Sequence, residues 1–260
     1  MAEKKWKTAI TRHLDHETYI RGYRLLDLVG NLTFAQAIFL ILKGELPTEA
    51  ESKMMEAMFV SVIDHGIAPP SVIAARSVAS GGNSLNVGVA AGVMAFGSAH
   101  GGALEDAMKF IQEGVSSDKS VGEIVSGYLS VKRPIPGFGH RYYKEFDPRT
   151  KRLMDLARHY GFFGKHCEFA LAVEEEIFRQ KGKRIVLNVD GAIAAVASEM
   201  GFDWRLGKGF FIIGRVPGLV AHVYEELTKE RPFSKRLNEE EETEYIGPEP
   251  RELPEELKKV

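Results

Sequence analysis

Thr33-Phe34-Ala35-Gln36-Ala37-Ile38-Phe39-Leu40-Ile41-Leu42-Lys43-Gly44 sets the pattern from which the fold is read. Ala35, Ile38, Phe39 and Leu42 recur at the i, i+3, i+4, i+7 spacing of one helix face, Thr33 stands where an N-cap belongs and Gly44 supplies the stop. The same grammar returns along the chain. Asp147 opens a segment with Leu153, Leu156, Ala157 and Tyr160 on one face before Gly161. Another runs from about Glu168 to Gln180 and closes at Gly182, and a third carries Ile193, Val196, Ala197 and Met200 before Gly201. A last long one spans about Gly218 to Lys229, ahead of Arg231-Pro232.

Upstream, Thr8-Ala9-Ile10 and Thr18-Tyr19-Ile20-Arg21 are β-prone runs around the polar His13 to Glu17, which predicts a small hairpin. Strands and helices do not alternate, so a parallel sheet is disfavoured and the fold is expected to be mainly α with a peripheral hairpin. From Leu237 to Val260 the character changes: Glu239 to Glu242 is an acidic run and prolines recur at 248, 250 and 254. This divides the chain into a helical domain over 1–236 and an acidic, Pro-containing tail over 237–260, solvated or, given Tyr245-Ile246, laid across a partner subunit.

Composition narrows the partners. A net charge of −2 over 260 residues provides no field to gather nucleic acid or a membrane surface. The single Cys167 leaves no internal disulfide and no Cys-based zinc site, and with no apolar secretory segment at the start it fits a reducing cytoplasm. Val87 to Phe96, rich in Gly and Ala, is too short to span a bilayer and reads as a tightly packed helix, with Gly88 and Gly92 at close-contact spacing.

Chemistry concentrates in a few places. Pro136-Gly137-Phe138-Gly139-His140, followed by Asp147-Pro148-Arg149, joins a glycine loop, a titratable ring and a cation. The glycines allow close approach of backbone amides to a ligand, Asp147 reads as an N-cap, and Pro148 at the first helical position sets Arg149 where a carboxylate could meet it. His100, in Ser98-Ala99-His100-Gly101-Gly102, precedes a helix whose N-terminus keeps a nearby imidazole neutral, suited to donate to an oxygen gaining charge. Asp190, at a helix start, is as good a cap as a base when taken alone; beside a neutral His donor it suits proton abstraction next to a thioester or ketone carbonyl. His65 stands at an element end, and Arg215 follows the apolar run Phe210 to Gly214, where an unpaired cation is expensive. His222 lies on a helical stripe and reads as a packing residue. His13, His16, His159 and His166 receive no role. No H-E-x-x-H or similar spacing occurs, so a metal site is not expected.

Taken in order, Ile20-Arg21-Gly22-Tyr23 with Leu42 through Pro47, then Asp64-His65-Gly66, His100-Gly101-Gly102, Pro136 to Arg149 and Asn188-Val189-Asp190 resemble the citrate synthase superfamily over nearly the whole chain before the tail. The likeness is greatest to its citryl-CoA lyase branch, including the citrate-synthase-like module of ATP-citrate lyases. It implies a helical fold of large and small lobes, His100, His140 and Asp190 as catalytic residues, and His65, Arg149 and Arg215 holding a dicarboxylate. Arg231 would reach a neighbouring subunit's site, and Pro136, Gly137, Phe138 and Gly139 would contact coenzyme A. Gly191-Ala192-Ile193-Ala194, Phe211 to Arg215 and Gly218 to His222 are similar to the lyase pattern, and the stretch from Pro47 to His65 is shorter than in ordinary synthases.

By this resemblance the chain is expected to be a cytoplasmic homo-oligomer, at least a dimer. It would cleave citryl-CoA to acetyl-CoA and oxaloacetate, as in a reductive tricarboxylic acid cycle, with no cofactor beyond the coenzyme A of the substrate. His140 would take the hydroxyl proton, His100 would stabilise the enolate and Asp190 would return a proton to carbon. With no nucleotide-binding region in this chain, a separate enzyme would activate citrate. A short citrate or 2-methylcitrate synthase uses the same groups and stays open, as does a non-catalytic CoA-thioester-binding assembly subunit.

Overall fold

The computed structural model describes residues 6–97, 100–101, 103–233 and 239–258. Three short strands, β1 (Thr11–Leu14), β2 (Glu17–Ile20) and β3 (Tyr23–Arg24), are followed by α1 (Leu25–Leu28), α2 (Phe34–Lys43), α3 (Glu49–Ser61), α4 (Pro70–Ser80) and α5 (Leu85–Met94). The body continues with α6 (Ala103–Val115), α7 (Val121–Ser130), α8 (Pro148–Tyr160), α9 (Lys165–Lys181), α10 (Val189–Glu199) and α11 (Gly207–Lys229). The short α12 (Glu239–Glu242) lies in the tail.

The mainly α expectation holds, and the hairpin is a three-stranded antiparallel sheet in the order β1-β2-β3. Leu14 pairs with Glu17 and Ile20 with Tyr23, so two-residue turns join the strands. Asp15 and His16 have φ of 49° and 66°, and Arg21 and Gly22 have 51° and 91°, the double left-handed signature of tight hairpin turns. These turns move the strands from where propensity alone put them: Thr8 to Ile10 lie outside the sheet, and His13 and Leu14 belong to β1. Arg21 then ties the sheet to the end of α2, donating through Nε and Nη2 to the Ile41 carbonyl at 3.0 and 2.6 Å.

Helix ends obey the local rules. Thr33 forms a full capping box with Gln36, and Gly44 ends α2 at φ 90°. Asp147 caps α8 with Pro148 at its first position, and Gly161 and Gly182 close α8 and α9 in the left-handed region. The expected helix near Gly218 starts eleven residues earlier, at Gly207, and runs through Pro217. Pro217 gives up one backbone donor. Packing offsets that loss, since α11 lies against α3, α4, α5 and α6 with Phe210, Phe211, Leu219 and Val223 buried.

At the centre is α10, which packs on α6, α8 and α9. Every residue from Gly191 to Ser198 is buried, on all faces, because Ala192, Ala194, Ala195 and Ala197 let neighbouring helices close in. Ile193 and Val196 there contribute about 1.5–3 kcal/mol each by burial. Gly88 and Gly92 do mediate close contact, but with helices of their own chain: an added Cβ would stand 3.1 Å from the Ala75 carbonyl at Gly88 and 3.0 Å from the Ser71 carbonyl at Gly92. The outer side of α5 leaves Met94 85% exposed. In the tail, residues 241–258 are exposed, while the expected boundary at 236–237 lies outside the described residues.

Candidate active site

A cavity of about 850 Å³ opens where the turn before α4, the loop before α6, the Arg133 to Tyr142 loop and the start of α10 converge. His65, His100, His140, Arg149, Asp190 and Arg215 line it together, as do Pro136, Gly137, Phe138 and Gly139. Of the sequence-nominated residues only Arg231 does not. It is exposed beyond the end of α11. Gly102 lies outside the described residues.

Asp190 is the second residue after the cap Asn188, whose side chain accepts from the Gly191 amide at 3.0 Å. Asn188, and not Asp190, therefore caps the helix. That frees the Asp190 carboxylate for the cavity, where its Oδ1 is shut off from solvent without a hydrogen-bond partner among the described residues. Burial pushes this carboxyl up to about 6, against the pull of Arg149 and Arg215. Such a group can exchange a proton near neutrality.

The glycine loop is built differently from the sequence expectation. Gly139 spends its amide on the Val186 carbonyl at 2.7 Å, so that amide is not available to a ligand. Asn188 bonds the loop twice, its amide to the Gly137 carbonyl at 3.0 Å and its Nδ2 to the Gly139 carbonyl at 2.9 Å. Gly137, at φ 85°, packs directly on Gly191.

His140 is locked by its own loop: Nδ1 accepts from the amides of Tyr142 and Tyr143, both at 3.1 Å, and the ring stacks on Tyr143 with centroids 4.5 Å apart. A neutral ring held so carries its proton on Nε2. Burial lowers its pKa, and Arg149 and His65 act the same way against Asp147. The base role expected for His140 meets an obstacle here, because a neutral ring with Nδ1 already accepting presents a donor and no free lone pair.

Arg149 shows a second difference. The carboxylate that meets it is the buried Asp147, which takes its Nε at 3.1 Å and Nη2 at 2.8 Å. Nη2 stands 3.3 Å from His140 Nε2, a longer contact for which the Nδ1-accepting tautomer offers no lone pair, so Nη1 and the second Nη2 hydrogen are left for a ligand. Arg215 is 3% exposed and donates Nε to the Val62 carbonyl at 2.7 Å, which leaves both terminal nitrogens for an end-on carboxylate.

His100 sits at a tight backbone bridge with Gly97. Its Nε2 is 2.8 Å from Ser71 Oγ, and the ring lies edge-on to Phe96 and Phe211. Burial lowers its pKa first, with Arg215 and His65 adding to it, so neutrality comes from these groups as well as from the helix start considered above. His65 is lowered likewise by burial and by Arg149 and Arg215, and its ring stands 6.0 Å from that of His140 at 90°. Sequence reasoning missed Ser71 and Asp147 as parts of the site. The first gave no signal, and the second was visible only as a cap. Among the described residues no group of three His, Cys, Asp or Glu side chains is arranged to hold a metal ion.

A family model, the C-terminal domain of citrate synthase, matches residues 48–236. Curated relatives include the probable ATP-citrate synthase of Dictyostelium discoideum, 30% identical over 78% of this chain and 34% of its own length. The citrate synthase of Haloferax volcanii is 31% identical over 83% of this chain and 57% of its own. The chain thus spans about a third to under six tenths of these relatives. Among solved structures, the citryl-CoA lyase of Hydrogenobacter thermophilus is 81% identical with a TM-score of 0.94, covering 98% of this chain and 100% of that one. The ATP citrate lyase of Methanothrix soehngenii, solved with citrate and coenzyme A, is 25% identical with a TM-score of 0.84, covering 96% of this chain and 43% of that one.

Proposed function

The chain belongs to the citrate synthase family, and from that premise we propose that it is a citryl-CoA lyase, cleaving citryl-CoA to acetyl-CoA and oxaloacetate. The observation that carries the reading is Asp190: a carboxyl lifted to about 6, its Oδ1 unpartnered among the described residues, in one cavity with three histidines of lowered pKa and two arginines. The 81% identity to a citryl-CoA lyase over its full length supports the direction.

In the cleavage, Asp190 holds the proton that the acetyl-CoA enolate carbon receives. His100, kept neutral, steadies the enolate oxygen by a hydrogen bond. Through Nε2–H, His140 donates to the oxygen on the central carbon, a hydroxyl in citryl-CoA and a ketone in oxaloacetate. The hydroxyl proton leaves to solvent water in the open cavity as the ketone forms, and Asp190, having given its proton to carbon, takes one back from solvent, so the turnover is proton-neutral. Arg215 and the free end of Arg149 receive the carboxylates, with His65 beside them, and the Pro136 to Gly139 loop borders the coenzyme A thioester.

The reading calls on no metal or redox cofactor, and it places the enzyme in the cytoplasm, cleaving what a separate citrate-activating enzyme supplies to a reductive tricarboxylic acid cycle. It also includes a homo-oligomer: Arg231 lies outside its own cavity and the outer face of α5 carries exposed Met94. Synthetic citryl-CoA tests the reaction directly. Acetyl-CoA and oxaloacetate should form, and acetyl-CoA with oxaloacetate should release no free thiol. Rapid thiol release would instead identify a synthase, and binding of citryl-CoA without products an assembly subunit.

A further inference from the structure

His65 enters the cavity without a side-chain hydrogen bond to any described residue and with an edge contact to the His140 ring, so its place depends chiefly on the backbone turn from Val62 to Gly66. That turn is docked on one ridge of α11. Gly214, Gly218 and His222 recur at four-residue intervals, one above another on the same face. At Gly214 an added Cβ would stand 2.6 Å from a Val62 methyl, and at Gly218 it would collide with the Ile63 carbonyl, so both glycines are what let the turn come this close. Arg215 takes the Val62 carbonyl. One turn further along the ridge from Gly218, His222 Nε2 lies 3.0 Å from Asp64 Oδ1, while Asp64 Oδ2 accepts the Gly66 amide at 2.9 Å. Among the described residues, Asp64 is thus the side chain that bridges α11 to both sides of His65.

We propose that His222 is a positioning residue, holding Asp64 and through it the turn that sets His65 at the dicarboxylate end of the cavity. The inference rests on the assignment of that end to oxaloacetate. His222 touches no reacting group, and the sequence pattern that marked it as a packing residue missed this because Asp64 is 158 positions away. Asp64 is held below the ordinary carboxylate range: burial pushes it up, but the Gly66 and His65 amides and His222 outweigh that. An ionised Asp64 accepts from both neighbours at once.

Calorimetric titration of the full chain with oxaloacetate, in its native assembly, tests the chain of contacts. His222→Phe should weaken oxaloacetate binding roughly three- to tenfold, the scale of one partly exposed hydrogen bond to a charged group, while coenzyme A affinity stays as it was. His222→Gln, whose amide nitrogen can donate in place of Nε2, should recover most of the loss. In a His65→Ala background His222→Phe should cost nothing further, since its route to the ligand is gone. Unchanged oxaloacetate affinity in His222→Phe overturns the inference, as does the same loss with and without His65. If His222→Phe does not fold, Asp64→Ala serves: it offers no group to either His222 or the Gly66 amide, and undiminished binding there overturns the inference too. A wild-type protein that binds no oxaloacetate sinks the assigned reaction and this role with it, whereas wild-type binding matched by His222→Phe sinks this role alone.

Discussion

Gly137 and Gly191 pack backbone to backbone, with an added Cβ on Gly137 falling 2.8 Å from Gly191 Cα. This contact seats the glycine loop on the first turn of α10, and so sets the distance between His140, which ends the loop, and Asp190, which precedes Gly191. Gly137→Ala should destabilise the protein by about 1–3 kcal/mol, through its φ of 85° and the collision together, and should lower turnover further because the two residues are pushed apart. Gly182→Ala is the control. It has φ 65° with nothing within 4 Å, so it should cost about 1 kcal/mol and leave turnover unchanged. Denaturant unfolding beside single-turnover rates would tell them apart; equal effects of the two would remove the contact from the argument.

Asp190→Asn should bind CoA thioesters nearly as wild type yet lose about 10²–10⁴-fold in turnover, the usual share of a positioned acid or base. Exchange of acetyl-CoA methyl protons with deuterated water reads this step directly. Exchange that survives intact in the variant would take Asp190 out of the chemistry.

The same carboxyl governs stability with pH. Its folded-state value of about 6 lies above the ordinary 3.8, so the folded protein holds this proton more tightly than the unfolded chain. That preference is fully present below pH 4 and is lost as pH rises through about 6. Asp190→Asn, with nothing to ionise, should therefore gain on wild type across this window, by on the order of 2–3 kcal/mol at pH 8, and show no such gain at pH 4. Midpoints of chemical unfolding for both proteins between pH 4 and 8 give the comparison, and parallel curves would contradict the raised value.

Arg149→Leu should weaken oxaloacetate binding by about 2–5 kcal/mol. It should also weaken the fold, because the Asp147 carboxylate, fully buried, loses its partner. Asp147→Asn in the same chain keeps the cap and removes the stranded charge, so the double variant should regain stability without regaining oxaloacetate. Recovery of both would mean that Arg149 serves structure alone.

Arg231 is exposed and lies outside the cavity of its own chain. If it completes a neighbour's site, mixing inactive His100→Ala with inactive Arg231→Ala should regenerate activity in exchanged dimers, because one hybrid site has both groups intact. Demonstrated subunit exchange with no activity would refute the shared site.

Sequence by itself determined the mainly helical class and several helix ends, but not the start of α11. Caps such as Thr33 and Asp147 and stops such as Gly44, Gly161 and Gly182 act over one or two turns, so their signals are local and survive folding unchanged. Asp64-His65-Gly66, His100-Gly101, Pro136 to Arg149 and Asn188 to Asp190 also carried the family resemblance that nominated residues of the cavity, though not Ser71 or the hold of Asp147 on Arg149. What the sequence left open was how those residues are held. That Asp147 occupies Arg149, that Tyr142 and Tyr143 fix the His140 tautomer, that Gly139 has no amide to spare and that Asn188 relieves Asp190 of capping all depend on partners' positions. Only the tertiary structure decided those, because hydrogen bonding and desolvation depend on distances that spacing along a chain does not encode.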